Sequence, residues 1–283
     1  MSQTYNIQKA SFRQGLSWLP ASAEIMRSGL RPLVGIAALW LLVSMIGFIP
    51  LIGQLTIVII TPMLTAGVLL AFDRLGEQRI PPPTTLFAGW HDPLRRNNLL
   101  LLGLFMLGGA MTAALILFSW LGSQLGQEQL QALLSQESPE AMAEALSGVS
   151  IGGGLLLAAL MMGLVLAGLY FSVALVMFGK APAAQAFVLS IKAVLVNWVA
   201  FIGYLLALFA VALGFGFILL LVTSLLTLAL GPIGAFLTQI ITLLGFMLFQ
   251  ILMAGAQYLA FSQVFGWSPG LEDDDGSGPA VPL

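Results

Sequence analysis

Residues 89 to 98, GWHDPLRRNN, hold the only histidine of the chain, His91, with Asp92, Arg95, Arg96, Asn97 and Asn98 beside it. Such a cluster could serve acid–base chemistry or hold a metal. A metal site needs several converging His, Cys, Asp or Glu ligands, and histidine catalysis needs a partner to activate, yet there is no second histidine and no cysteine. Asp92 is adjacent in sequence, so on a helix it would point about 100° away from His91. Asp92 before Pro93 reads instead as a helix start: an N-cap residue, then proline at the first helical position. Arg95 and Arg96 then fall at lipid-headgroup depth, and Trp90 suits the aromatic belt at the same level. The stretch is expected to be an entry segment at a membrane surface, with no catalytic residue, metal or cofactor.

The elements that must position it are membrane helices. Hydrophobic residues make up 59% of the 283 positions and charged ones only 8%, against roughly 25% charged in soluble domains. Mean hydropathy is +1.01. A hydrocarbon core of about 30 Å takes about 20 helical residues, and long unbroken apolar runs point to helices rather than a barrel. No stretch in the first 30 residues has an apolar core long enough for a secretory signal. The expected fold is an all-α six-helix bundle with spans at 32–49, 52–72, 99–121, 152–178, 198–221 and 235–262. Residues 1–31 form an N-terminal segment with an interfacial helix, 32–266 the transmembrane domain, and 267–283 an acidic disordered tail. The run from Trp198 is longer than one span needs, so Ser224–Leu230 is expected as a short interfacial helix, ended by Gly231 and Pro232.

All ten Lys and Arg residues lie on one side of this six-span arrangement: Lys9, Arg13, Arg27 and Arg31, then Arg74, Arg79, Arg95 and Arg96, then Lys180 and Lys192. The positive-inside rule makes that side cytoplasmic, with both termini on it. The opposite loop, about 122–148, carries Glu128, Glu137, Glu140 and Glu144, and SPEAMAEALSG within it predicts a surface helix capped by Ser138.

The chain also repeats itself. An Ala-Gly pair stands near the end of each even span, at Gly67, Gly168 and Gly255, and a short amphipathic segment precedes each odd span. In the second such segment Leu86, Phe87, Trp90 and Leu94 would share a helical face; in the third, Phe187, Ile191 and Val194 would. Three parallel units of interfacial helix plus hairpin are expected, with Asn98 and Asn197 in corresponding places. The plainer alternative is that any six-span chain yields three hairpins by counting, since Ala-Gly pairs are common in membranes.

No ionisable residue stands inside a span away from its ends, which argues against ion-coupled pumps. The candidate neutral pocket, or set of interhelical contacts, is Gln54, Thr61, Pro62, Thr65, Gln250, Gln257 and Tyr258; Pro62 should kink span two, with Thr61 and Thr65 helping to satisfy the break. Candidate lipid-headgroup contacts are Arg31, Trp90, Arg95, Arg96 and Lys192. Small residues Ala159, Gly163 and Ala167, and likewise Gly203 and Ala207, mark expected helix-packing faces.

The stretch SGLRPLVGIAALWLLVSMIGFIPLIGQLTIVIITPMLTAGVLLAFDRLGEQRIPPPTTLFAGW, and again SIKAVLVNWVAFIGY, resembles an uncharacterised family of bacterial inner-membrane proteins. The likeness rests on Pro32, Pro50, Gly53, Gly67 and Asn197 and is architectural. More distantly the chain is similar to the membrane domain of some bacterial glycerophosphodiester phosphodiesterases. The resemblance implies a six-span fold in a bacterial inner membrane, and no activity is assigned to the family that could be carried over. Mitochondrial carriers also have three hairpins, but their Pro-x-Asp/Glu-x-x-Lys/Arg signature is missing here.

Three function classes follow. A non-enzymatic protein acting through lipid or protein contacts is expected foremost, with the bilayer, a membrane-protein partner or a second copy as partners and no nucleic acid or metal. A transporter or channel for a neutral or lipid-like solute would need the polar residues above to converge on one mid-membrane cavity. An intramembrane enzyme would need an acid, base or nucleophile in a pocket.

Overall fold

A computed structural model describes residues 6–125 and 152–268. The predicted helix at 138–148, the acidic loop beyond residue 125 and residues 269–283 of the tail lie outside these residues; Trp267, expected in the disordered tail, is buried and donates to Asp73. The described chain is helical: α1 Phe12–Ser28, α2 Leu30–Ser44, α3 Ile52–Gly76, α4 Pro93–Gln124, α5 Gly152–Tyr170, α6 Ser172–Met177, α7 Ala183–Val196, α8 Trp198–Leu230 and α9 Pro232–Phe265. Two 3-10 stretches, Met45–Phe48 and Pro83–Trp90, continue α2 and precede α4. Six helical stretches are long and apolar enough to cross a membrane: α2 with its 3-10 end, α3, α4, α5 with α6, α8 and α9. The chain is a multi-pass membrane protein of three hairpins, α2–α3, α4–α5/α6 and α8–α9.

Two expected boundaries differ. Residues 224–230 are no separate interfacial helix but the last turns of α8, because nothing before Gly231 interrupts helical backbone; Gly231, at φ +54, makes the turn. The fourth span breaks at Phe171, where the Ser190 hydroxyl of α7 accepts from the Phe171 N–H at 2.9 Å and donates to the Ala167 carbonyl at 2.6 Å. A serine from a neighbouring helix thus satisfies backbone groups that the break would leave bare, as an apolar interior demands. Helix α3 runs through Pro62 without interruption, and Thr61 bonds its own turn, to the Ile57 carbonyl at 2.7 Å.

The short segments before each hairpin determine the architecture. Helix α1 opens with a capping box, Ser11 Oγ accepting from the Gln14 N–H and Gln14 Oε1 from the Ser11 N–H, and buries Gly15, Trp18, Leu19 and Ser22 on one stripe. It packs chiefly on α8 and α9, not on the hairpin that follows it. The Pro83–Trp90 segment packs chiefly on α3 and α2, and α7 on α5 and α6. Each segment therefore covers the hairpin before it in the chain, and α1 covers the last, so the three units close into a ring.

Side chains at corresponding places repeat the pattern. A Cβ on Gly67 would overlap the Leu86 backbone, one on Gly168 the Phe187 ring, and one on Gly255 the Ser22 hydroxyl, so each Ala-Gly glycine lets the next segment approach. The helix ending each hairpin is followed by one residue with positive φ: Gln78, Lys180 and Gly266, respectively 11, 12 and 11 residues beyond those glycines. The extra residue in the second unit accompanies the break at Phe171.

The ring is not uniform. Hairpin one packs against hairpin two through α3 and α4, and against hairpin three through α2, α3 and α9. No comparable packing joins α4 or α5 to α8 or α9. Hairpins two and three meet near their basic-residue end, where Tyr170 lies edge-on to Phe201 at 4.9 Å, Phe171 to Phe265 at 5.4 Å, and Phe178 stacks on Phe261 at 5.8 Å.

Candidate functional site: a polar layer at the basic end

The polar groups with long-range partners concentrate where the covering segments meet the hairpins. Asn98 donates from Nδ2 to the Leu94 carbonyl four residues back and accepts on Oδ1 from the Ala183 N–H, the first of α7, at 2.9 Å. Asn197 does the same: Nδ2 donates to the Ala193 carbonyl and also to that of Gln8, while Oδ1 accepts from the Ala10 N–H at 2.6 Å, just before α1. Each asparagine thereby caps the start of the next covering segment. The remaining segment starts at Pro82 and Pro83, which have no N–H to cap, and Pro83 lies against Gly35 of α2 instead. Ser22 of α1 donates to the Leu252 carbonyl of α9 at 2.8 Å, and the Trp18 indole N–H to Gln263 Oε1 at 2.8 Å.

Among the described residues Asp73 is the most deeply buried charge. It occupies the last two turns of α3, is 5% exposed, and accepts on Oδ1 from the Tyr258 hydroxyl at 2.8 Å and the Trp267 indole N–H at 3.0 Å. The adjacent Arg74 donates to Thr85 Oγ1 at 3.1 Å. This pair ties α3 to α9, to the residues after α9, and to the segment covering hairpin one. A carboxylate in this setting costs several kcal/mol to desolvate, so its donors are part of the fold's integrity. Sequence reasoning did not single out Asp73, because a charge at a span's end normally faces headgroups. The available signal was its place directly after the apolar run Val68–Phe72, one turn beyond Leu69 and Leu70.

The proposed neutral set does not form one pocket. Gln54 is exposed at the far end of α3, about 28 Å along the helix from Asp73, where Tyr258 bonds. Gln257 donates to the Tyr170 carbonyl, linking hairpins three and two, and Tyr258 to Asp73. Pro62 is buried, while Thr61, Thr65 and Gln250 are half-buried. An open cleft of about 570 Å³ lies elsewhere, at the outer tip of α8–α9, lined by Thr223, Ser224, Thr227, Leu228 and Thr238.

The surface residues fall at the basic end. Arg31 and Lys192 are exposed; Trp90 packs edge-on to Phe87 at 5.7 Å; Arg95 pairs with Asp92 at 3.4 Å; Arg96 is half-buried. Asp92 caps α4 by accepting from the Leu94 N–H at 2.9 Å, and His91 is exposed, with Nδ1 3.3 Å from the Ala88 carbonyl. Among the described residues no three of His, Cys, Asp and Glu gather as a metal site would require.

Two expectations are corrected here. Leu94 is exposed and does not share the buried face of Leu86, because the chain turns at His91 and Asp92 before α4 begins. Ala159 and Gly163 form no packing face, being exposed with nothing within 4 Å of a Cβ at Gly163. The close approaches of hairpin two run through Gly109 against Val165 and Gly154 against Trp120, whereas Gly203 does pack, against the Phe12 backbone of α1. No family model, curated protein or solved structure matches the chain.

Proposed function

We propose that this chain is a non-enzymatic protein of the bacterial inner membrane, with both termini cytoplasmic, that acts through lipid or protein contacts. The observation that carries the reading is the use made of the polar side chains. Asn98, Asn197, Ser22, Ser190, Gln257 and Tyr258 are committed to joining one unit to the next instead of facing a common cavity. Such bonds hold a scaffold in one shape, and the basic residues around it suit anionic headgroups at one face. The test is reconstitution in vesicles, followed by flux of neutral solutes and movement of a fluorescent lipid between leaflets. Rates equal to those of protein-free vesicles are expected; saturable flux or rapid lipid movement would refute the reading.

A second reading, a transporter for a neutral or lipid-like solute, is favoured by one feature. Hairpins two and three adjoin at their basic ends and lack helix packing beyond, so a lipid-like molecule has a lateral approach between α5 and α8. The same vesicle experiment separates the two.

A further inference from the structure

The turns of hairpins one and three are both apolar and exposed, but they stand at different heights. Fifteen residues separate Gly67 from the outer end of α3 at Ile52, and 23 separate Gly255 from the outer end of α9 at Pro232. Because both glycines hold a covering segment in corresponding places, hairpin three is about 12 Å longer beyond that point. The asparagines give the same answer. Helix α4 runs 26 residues beyond Asn98, to Gln124, whereas α8 runs 33 residues beyond Asn197, to Leu230.

The extra length is not polar. No Asp, Glu, Lys, Arg or His occurs from Trp198 to Phe265. At the tip Leu225, Leu228, Ile233 and Phe236 are 64–86% exposed, and they come from both helices. At about 50 Å, α8 exceeds the roughly 39 Å that even a 40° tilt fits into the hydrocarbon core. The three threonine hydroxyls of the tip are satisfied within the hairpin: Thr223 donates to the Leu220 carbonyl, Thr227 to that of Thr223, and Thr238 to that of Thr223. A protein partner would cover one face; here exposed apolar side chains come from both helices, and the exposed polar groups among them, Ser224, Thr227 and Gln239, carry no charge.

We propose that the tip of the α8–α9 hairpin is a lipid-embedded prong, wrapped by acyl chains of the leaflet opposite the basic residues, so that the bilayer is thicker beside hairpin three than beside hairpin one. Wetting the exposed leucines forfeits their hydrophobic stabilisation, whereas stretching lipid around a long helix is a modest cost per ångström. The inference rests on membrane insertion and is independent of the function proposed above.

The absence of cysteine makes the test clean. Leu228→Cys and, against a folding failure of that variant, Phe236→Cys are each compared with Ser123→Cys, exposed at the end of α4 on the same face. All are reconstituted in phosphatidylcholine vesicles and treated with a membrane-impermeant maleimide. Maleimide needs the thiolate, which does not form in hydrocarbon, so the tip variants should react at least about tenfold more slowly than Ser123→Cys. A bimane attached at the tip through a permeant reagent should be quenched by lipid brominated along its acyl chains. Labelling as fast as Ser123→Cys overturns the proposal by placing the tip in water. Slow labelling without quenching overturns it too, by placing protein rather than lipid against the tip.

Discussion

The basic end and the far end of this molecule are built from the same three hairpins and organised by opposite means. At the basic end each hairpin is covered by a segment from the next unit, close glycine contacts bring backbones together, and side-chain bonds are long-range in sequence. At the far end α8 and α9 bond mainly within their own hairpin and present leucine, isoleucine and phenylalanine outward. Hydrophobicity separates protein from water but does not distinguish helix from lipid, so it cannot assemble helices inside a bilayer. Assembly is left to close packing and hydrogen bonds; at the far end the close glycine contacts, Gly53 on Ile46, Gly154 on Trp120 and Gly234 on Leu226, join helices of one hairpin, while the side-chain bonds between units gather at the basic end.

That contrast can be broken by substitution. The largest effect is expected where a backbone blocks a new side chain: Gly67→Leu must displace the Leu86 backbone and should destabilise by about 3 kcal/mol or prevent folding, whereas Gly214→Leu, with open space around it, should be near neutral. Thermal unfolding in detergent compares the two. Next comes Asp73→Leu, which strands the Tyr258 hydroxyl and the Trp267 indole; at about 1–3 kcal/mol per stranded donor it should cost about 2–6 kcal/mol, and Tyr258→Phe less. Asn98→Ala and Asn197→Ala should each cost about 1–2 kcal/mol, and a large inequality between them would weaken the correspondence of the units. Smallest is His91→Ala, expected within about 0.5 kcal/mol of the parent and without phenotype, since the ring is exposed.

Much of this architecture was legible in the sequence, though unevenly. Apolar runs bounded by Arg, Trp, Gly and Pro marked the six spans, since length and hydropathy are all that membrane crossing requires. Gly67, Gly168 and Gly255 were visible as a repeat because close approach admits few residue types. What they approach was not visible. Periodicity tells which face of a segment is buried, never against which hairpin, so the offset that places α1 on α8 and α9 appears only in three dimensions. Gly163 misled for a related reason: a small-residue stripe permits contact without causing it. Asp73 went unnoticed because a charge at a helix end looks the same whether it faces headgroups or an indole and a phenol. Of the candidate pocket, Gln257 and Tyr258 were recognisable as polar groups within an apolar span, but their partners, a carbonyl in hairpin two and a carboxylate in hairpin one, lie 87 and 185 residues away.

The closure of the ring is the central claim, and its junction is between the start of the chain and its end. The Gln8 N–H donates to the Val264 carbonyl at 2.8 Å, and a Cβ on Gly266 would sit 3.1 Å from Gln8 Nε2. The decisive measurement uses Gln8→Cys with Gly266→Cys in the otherwise cysteine-free chain, a short bismaleimide applied in native membranes, and a protease site inserted near Ile80, which is exposed between hairpin one and its covering segment. The account predicts that after cleavage the two fragments remain joined on a denaturing gel only when both cysteines are present. Fragments that separate despite efficient modification of both thiols would place the first segment away from hairpin three and contradict the ring.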